Sequence, residues 1–276
     1  MKLAVWSSYY YDLPIRDVIK RFCENGIYSS ELSTEHGALL LAKDPDVQKT
    51  GRELSDFARQ NGFEISQGHL KQNIKICSDE NAVELLYRWI DLYDAIGIKN
   101  MVLHCDALAK SGLEREERIL KNAETLKMIA KYVENRDVYI CLENMRPRAL
   151  QSAPLIDADA DDILRIIDLV GSERLGICLD TGHLNLTSRD QRAFILRSGK
   201  RLKALHIADN DGTSDQHLMP FAGGNIDFET VVSALFDIGY EGVFNLEIPG
   251  ETGIPFEQRD KKLSYIKECF ARLVKM

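Results

Sequence analysis

The sequence predicts an α/β fold, a single (β/α)8 or TIM barrel domain that takes in residues 1–276. Helical patterns end repeatedly at a glycine, and a short apolar run follows each of them. These runs are continuous rather than alternating, which is typical of parallel strands that are covered on both faces. Eight units share the 276 residues, so each strand, helix and pair of loops has about 35 residues, as a closed barrel requires.

Eight apolar runs are the predicted strands of this barrel. One run opens the chain, and five follow a glycine that ends a helical pattern. The other two runs do not follow such a glycine directly. In chain order the runs are 3–6, 27–32, 63–65 with His69 at the strand's end, 101–103, 138–142, 175–179, 202–207 and 243–246. Glycine accepts the left-handed conformation that commonly follows the last helical turn, which explains the five stops.

The segments between these runs carry apolar residues at helical spacing. Leu86, Ile90 and Tyr93 recur at i, i+4 and i+7, and longer stripes cover 119–133 and 263–273. Asp227 is the predicted N-cap of a helix over 228–238, since its short side chain can accept from the first free amides. No stretch rich in proline and serine divides the chain, so we expect one domain.

The composition excludes several classes of protein. Hydrophobic residues make up 45% and charged residues 28%, unlike a disordered chain, and the net charge of −8 creates no basic field for nucleic acid or an anionic membrane. Six cysteines lie singly, without a C-x-x-C motif, as expected of buried thiols in a reducing compartment. No run has the length of a membrane span, and the first residues are too short a run for a signal peptide. We therefore expect a cytoplasmic protein without membrane partners.

Residues that can bind metal stand where the predicted strands end, and five of the six histidines lie at or near such ends. The carboxyl ends of barrel strands form the rim where active sites of this fold lie. Oxygen and nitrogen donors without a thiolate suit Mn²⁺, Zn²⁺, Fe²⁺, Co²⁺ or Mg²⁺. Several carboxylates on one rim repel one another, so they need a cation nearby to stay ionised. His36, the sixth histidine, is expected in an exposed loop. The strand-end residues are His69, His104, Glu143, Asp180, His183, His206 and Glu247.

Four of these strand ends and one loop resemble a known superfamily. The segments are Leu142-Glu143-Asn144, Leu179-Asp180-Thr181-Gly182-His183, Leu205-His206-Ile207-Ala208-Asp209, Leu246-Glu247 and the loop 215–228. Together they resemble the xylose isomerase-like TIM-barrel superfamily. That superfamily includes sugar-phosphate isomerase/epimerases, ketose 3-epimerases, inosose-type dehydratases and metal-dependent abasic-site endonucleases. The resemblance spans strands three to eight, about 180 residues.

The resemblance to the epimerase branch implies a role for each strand-end residue from strands five to eight. It implies that Glu143, Asp180, His206 and Glu247 bind one divalent cation and that His183 contacts the substrate. Glu143 and Glu247 would flank the substrate and exchange the proton beside its carbonyl. A metal on the carbonyl and hydroxyl oxygens stabilises the enediolate, and nearby carboxylates act as general acids and bases. We therefore expect an isomerase or epimerase that acts on a sugar or sugar phosphate.

The endonuclease branch is an alternative, because it uses three zinc ions and this sequence offers candidates for all their ligands. That branch inserts an aromatic and an aliphatic side chain into DNA from the loop after its first histidine ligand. Here the loop reads Leu70-Lys71-Gln72-Asn73, without the aromatic wedge that holds a duplex kinked. We therefore favour a small-molecule sugar over nucleic acid. An inosose-type dehydratase is a second alternative, and the family also allows a homo-oligomer. The candidates for a second metal site are His69, His104, Asp215 and His217.

Five further residues have two interpretations each. Arg146 and Arg148 either grip a phosphate or carboxylate or form salt bridges at the rim. Trp6 either stacks on a sugar or belongs to the core. Glu31 either bonds a substrate hydroxyl or is a solvated charge at the end of its strand. Asp209 either orients His206 as its hydrogen-bond partner or simply lies in the loop.

Overall fold

The computed structural model describes residues 1–147 and 153–275. Eight parallel strands form one sheet in the order β7-β6-β5-β4-β3-β2-β1-β8. The strands are β1 (Lys2–Trp6), β2 (Ser29–Leu32), β3 (Glu64–His69), β4 (Asn100–Leu103), β5 (Tyr139–Glu143), β6 (Leu175–Asp180), β7 (Leu202–His206) and β8 (Val243–Leu246). Helices alternate with the strands, so the predicted (β/α)8 barrel is confirmed.

The helices of the described residues cover the outside of this sheet. They are α1 (Ile15–Glu24), α2 (Thr34–Lys43), α3 (Val47–Gln60), α4 (Ala82–Ile96), α5 (Arg115–Val133), α6 (Ala160–Val170), α7 (Thr181–Asn185), α8 (Gln191–Ser198), α9 (Phe228–Asp237) and α10 (Phe256–Leu273). Asp227 is the N-cap of α9 as predicted, because its side chain accepts from Thr230 N at 3.1 Å. None of the helices in the described residues combines the length and the apolar character that crossing a membrane requires.

The sheet closes at the carboxyl ends of β7 and β8. Ile207 N donates to Asn245 O at 2.8 Å, and Glu247 N donates to Ile207 O at 3.1 Å. On the opposite side of β7, the register with β6 pairs Asp180 with His206. Two of the candidate metal ligands therefore end neighbouring strands at the same level.

A layer of fully buried side chains supports the rim from inside the barrel. Side chains two residues apart on a strand point to the same face. Each member of this layer precedes a strand-end candidate by two positions, so the layer lies directly beneath the candidate site. Its members are Val102, Cys141, Cys178 and Ala204, below His104, Glu143, Asp180 and His206.

In the amino-terminal half, the predicted end of β3 is confirmed and the expectation for His36 is wrong. β3 extends from Glu64 to His69, so His69 ends this strand as predicted, and the polar residues beyond the apolar run 63–65 belong to the strand because they face the barrel interior. His36 is buried in α2 rather than exposed in a loop. Its Nδ1 accepts from Ser7 Oγ and its Nε2 donates to Leu13 O, both at 2.9 Å, so the imidazole joins α2 to the segment after β1. Burial lowers the pKa of His36, which keeps the ring neutral.

Candidate metal centre

Four side chains from the ends of β5 to β8 converge inside the rim of the barrel. One ligand atom from each of Glu143, Asp180, His206 and Glu247 lies within 4.8 Å of the others, and all four residues are buried. His206 Nδ1 is 3.3 Å from Glu143 Oε1 and 3.3 Å from Glu247 Oε2. The structure thus brings together the four residues that the sequence suggested as ligands of one cation, here called the central group.

The central group contains buried atoms whose hydrogen-bonding capacity is unused. Asp180 Oδ1 accepts from His183 N at 2.7 Å, but Asp180 Oδ2 and His206 Nδ1 have no hydrogen-bond partner among the described residues. Leaving such a buried atom unpaired costs about 1–3 kcal/mol. A divalent cation would satisfy both atoms, and a set of three carboxylates and one imidazole suits Mn²⁺, Zn²⁺, Co²⁺ or Mg²⁺. The residues present therefore fit such a cation.

A second group lies on the other side of Glu143. His104 Nε2 is 2.8 Å and His69 Nε2 is 3.4 Å from Glu143 Oε2, and the two imidazole nitrogens are 3.1 Å apart. Ligand atoms of these three residues also lie within 4.8 Å of one another. Glu143 consequently turns one carboxylate oxygen towards each group, which is the arrangement of a bridging carboxylate.

Asp215 is the centre of a third set of contacts at the mouth of the site. Its Oδ2 is 3.3 Å from His217 Nε2 and 3.5 Å from His183 Nε2, and it accepts from Arg146 Nε at 2.8 Å. Asp215 Oδ1 is buried without a hydrogen-bond partner among the described residues. Burial tends to raise the pKa of Asp215, but the two imidazoles outweigh burial and lower that pKa.

Four of the imidazoles are held in the same manner. In each ring one nitrogen, here called the outer one, donates to a backbone carbonyl or to Glu31, and the other faces side chains of the site. The outer nitrogen of His183, Nδ1, is also 3.3 Å from Glu143 Oε1 and 3.6 Å from Asp180 Oδ2. A carbonyl or carboxylate oxygen only accepts, so the outer nitrogen carries a proton. Burial tends to lower the pKa of each ring, but the neighbouring carboxylates outweigh it and raise that pKa in the cation-free site, so the inner nitrogen would have to lose a proton before it offers its lone pair to a cation. The outer bonds are His69 Nδ1 to Leu70 O at 2.8 Å, His183 Nδ1 to Asn144 O at 3.0 Å, His217 Nδ1 to Glu247 O at 2.8 Å and His206 Nε2 to Glu31 Oε2 at 2.9 Å.

The pKa values of the two candidate catalytic glutamates move in opposite directions. Burial raises the pKa of Glu247 to about 7, and the charges of Glu143 and Asp180 add to this rise. Burial also tends to raise the pKa of Glu143, but the imidazoles of His206 and His104 outweigh it and hold that pKa well below its usual value. Burial raises the pKa of Asp180. Without a cation, the site therefore holds one glutamate that is readily protonated and one that is ionised.

A cavity of about 160 Å³ opens onto these groups. The loop after His69 contributes Gln72 and Asn73 to its wall, while Leu70 is fully buried, so this loop presents no apolar wedge. Arg146 is the arginine of the cavity wall, and Arg148 lies outside the described residues. The lining residues are Gln72, Asn73, His104, Glu143, Met145, Arg146, His183, Asp215, His217 and Glu247.

Three candidate residues lie elsewhere. Trp6 is half-buried at the end of β1 and does not line this cavity. Glu31 is fully buried next to His206, so its interpretation as a solvated charge is wrong. Asp209 accepts from the backbone amides of Asn210 at 2.9 Å and Ile226 at 3.1 Å. Asp209 therefore stabilises the loop after β7, and the expectation that it orients His206 is wrong, because His206 Nε2 donates to Glu31 Oε2 instead.

Sequence reasoning missed two residues that hold the site together. Asn144 accepts from Asp180 N at 2.7 Å and donates to Asp180 O at 3.0 Å, which fixes the end of β6 against β5. Gln67 donates to Glu31 and to Leu205 O across the barrel interior. For Gln67 the available signal was a polar residue within a strand whose outer face is covered by helices, which leaves a polar side chain only the barrel interior. Asn144 directly follows β5 and carries no such signal.

The fold and this rim of carboxylates and imidazoles place the chain among the (β/α)8 barrels whose site lies at the carboxyl ends of the strands. The model of the xylose isomerase-like TIM barrel family matches residues 24–269. The chain belongs to that family, and the resemblance drawn from its strand-end segments is confirmed.

Similar proteins within the family include both epimerases and endonucleases. Fructoselysine 3-epimerase of Escherichia coli O157:H7 is 29% identical over 46% of this chain and 44% of its own. A probable endonuclease 4 of Mycoplasmopsis pulmonis is 27% identical over 73% of this chain and 74% of its own. The crystal structure of a D-tagatose 3-epimerase-like protein is 22% identical with a TM-score of 0.80, and the alignment covers 100% of this chain and 98% of that one. The chain spans about half the length of several curated relatives.

Proposed function

We propose that this protein is a divalent-metal-dependent epimerase or isomerase that moves a proton beside the carbonyl of a sugar or sugar phosphate. The observation that carries the proposal is that a carboxylate oxygen of Glu143 and one of Glu247 each lie 3.3 Å from His206 Nδ1. Sugar epimerases among the relatives and structural neighbours support this class of reaction.

In this proposal Glu143, Asp180, His206 and Glu247 hold one cation. A bound divalent cation would polarise the substrate carbonyl and stabilise the negative charge that develops when the neighbouring proton leaves. The buried carboxylates keep their places because each stands at or directly after the carboxyl end of a barrel strand. Water is largely excluded from this depth, which strengthens every electrostatic contact that the protein makes with the substrate.

Glu143 and Glu247 are the groups that we assign to proton transfer. Epimerisation removes a proton from one face of a carbon and returns a proton to the other, so it needs two groups. One glutamate accepts the proton from one face and the other donates a proton to the opposite face, and the roles reverse with the opposite stereoisomer. A carboxylate that also holds the cation acts through its second oxygen.

Two residues at the mouth would bind the rest of the substrate. His183 faces the cavity with Nε2, since its Nδ1 donates to Asn144 O. Arg146 presents a guanidinium group in a wall that is otherwise rich in carboxylates, and its Nε bond to Asp215 fixes its direction. A guanidinium group suits a phosphate or carboxylate, which it can bind with two parallel hydrogen bonds. We therefore assign Arg146 to the anionic group of a sugar phosphate or sugar acid.

The test is solvent exchange followed by NMR. The metal-loaded protein is incubated in D2O with a panel of ketoses and ketose phosphates. We expect one substrate to gain deuterium at the carbon beside the carbonyl as its stereoisomer or isomer accumulates. Conversion without deuterium would indicate hydride transfer, and loss of water would indicate a dehydratase; either result would contradict the proposal.

An abasic-site endonuclease is a second candidate, because His69, His104 and Glu143 form a further potential metal group beside the central one. The endonuclease 4 relatives support it, whereas the loop after His69 and the net charge of −8 oppose it. Cleavage of a duplex with one abasic site by the metal-loaded protein, with an undamaged duplex as control, decides between the two. We expect no cleavage.

A further inference from the structure

Glu31 is a buried acid that the proposed reaction does not use. It lies on β2 with a fully buried side chain and is not part of the cavity wall. Three donors converge on its Oε2: His206 Nε2 at 2.9 Å, Asn245 Nδ2 at 2.8 Å and the Nε2 amide of Gln67. They come from β7, β8 and β3, so Glu31 is the meeting point of side chains that cross the barrel interior.

The direction of each hydrogen bond follows from the backbone around Gln67. Gln67 Oε1 accepts from Leu205 N at 3.4 Å, which leaves the Nε2 amide of Gln67 to face Glu31. A carboxylate oxygen that already accepts from two amide groups has no proton to give to an imidazole. His206 Nε2 must therefore be the donor, which leaves His206 Nδ1 as the ring nitrogen that can offer a lone pair to a cation in the central group.

The charge of Glu31 has one nearby counterpart. In the described residues its ion-pair contact is His206, at 2.9 Å, and no lysine or arginine pairs with it. A buried carboxylate is stable only where neighbouring groups compensate for its lost hydration. A cation on the far side of the imidazole would draw electron density from His206 and make Nε2–H a stronger donor to Glu31. The acid and the cation would thus stabilise each other through the ring.

We propose that Glu31 is a positioning residue of the metal centre, which fixes the tautomer and direction of His206 and strengthens cation binding through that ring. The inference rests on the metal centre of the proposed function, and it holds for either candidate reaction. It assigns Glu31 no contact with the substrate. Substitutions of such partners of a metal-binding histidine typically weaken metal affinity 10–100-fold.

The experiment measures Zn²⁺ affinity by competition with a chromophoric chelator, in the wild-type protein and in Glu31→Gln. Glutamine keeps the shape of the side chain and removes its charge, so we expect Zn²⁺ to bind roughly 10–100-fold more weakly. The ¹⁵N shifts of His206 in the Zn²⁺-loaded protein should also move, because Nε2–H loses an ionic acceptor. If Glu31 had only a structural role, the Zn²⁺ affinity and the ¹⁵N shifts of His206 would be unchanged in a folded variant.

Asn245→Leu is the matched control, since it removes another donor to Glu31 Oε2 but keeps the carboxylate and the His206 bond. We expect near wild-type affinity for this variant. If Glu31→Gln does not fold, Glu31→Asp serves instead, because its shorter side chain moves the charge away from His206 and should also weaken Zn²⁺ binding. Wild-type affinity with unchanged His206 shifts in a folded Glu31 variant would overturn the inference. Failure of the wild-type protein to bind Zn²⁺, Mn²⁺ or Co²⁺ would overturn the metal centre itself.

Discussion

Glu143 and Glu247 approach the same nitrogen, His206 Nδ1, each at 3.3 Å, although they belong to strands that are three positions apart around the barrel. The other residues close to the two carboxylates differ. Glu143 also faces His104 and His69, while Glu247 is close to the carboxylates of Glu143 and Asp180. In the cation-free site this difference sets their pKa values apart, since that of Glu247 is raised and that of Glu143 is lowered.

Substitution of either glutamate should abolish turnover. We expect Glu143→Gln and Glu247→Gln each to reduce kcat by at least 10²–10⁴-fold, the usual contribution of a positioned acid or base. One of the two variants can still exchange solvent deuterium into the substrate without inverting it, because one face keeps its carboxylate. NMR in D2O measures both quantities, with metal content determined in parallel. The exposed Glu241→Gln is the control. Full activity in a metal-loaded variant would remove that glutamate from catalysis.

The assignment of Arg146 predicts a difference between charged and neutral substrates. Loss of a hydrogen bond between charged groups costs about 1.5–3 kcal/mol, so Arg146→Gln should raise KM for a ketose phosphate roughly 10–100-fold. The corresponding neutral ketose should be affected little. Arg146→Lys should recover only part of the loss, since lysine lacks the planar fork. Arg192→Gln, which breaks an exposed pair with Asp237, is the control. An equal change for both substrates would argue for a rim salt bridge.

Cation binding should be pH-dependent because protons occupy the same atoms. Burial raises the pKa of Glu247 to about 7, so in the cation-free protein this carboxyl group is protonated below pH 7 and ionised above it. The proton must leave before the carboxylate binds a cation. Zn²⁺ affinity should therefore fall as the pH drops below about 7, by up to tenfold per pH unit for this proton. Chelator competition between pH 5.5 and 8.5 measures the slope, which Glu247→Gln should reduce. A flat profile in the wild-type protein contradicts this expectation.

The loop that carries Asp215 and His217 should tolerate no side chain at Gly224. A Cβ added there would lie 2.1 Å from the Asp209 carboxyl group, which is bonded to the backbone of this loop. Gly224→Ala should therefore destabilise the protein by about 1–3 kcal/mol, the usual cost of overpacking. Urea denaturation measures this, with the exposed Ala222→Ser as control. If the Gly224→Ala variant were as stable as the wild type, the Asp209 carboxyl group would have to move away from the added methyl group without cost.

The fold and the rim could be predicted because both follow short-range patterns. Apart from β2 and β3, which are largely polar, the strands are largely apolar runs, and each candidate ligand of the central group stands at or directly after the end of its strand. The partners of these ligands follow no such pattern. Glu31 and His206 are 175 positions apart in the chain, and their contact depends on which strands face each other across the barrel. His36 was misplaced for the same reason, since its partners Ser7 and Leu13 belong to another unit.

Anomalous diffraction from crystals of the Zn²⁺- or Mn²⁺-loaded protein tests the metal centre most directly. The account predicts one strong peak enclosed by Glu143, Asp180, His206 and Glu247, with His206 Nδ1 and the unpaired Asp180 Oδ2 among its ligands. Further peaks of full occupancy beside His69 and His104 would favour the endonuclease candidate. A peak absent from the central group, or any one of its four side chains turned away from the ion, would contradict the account.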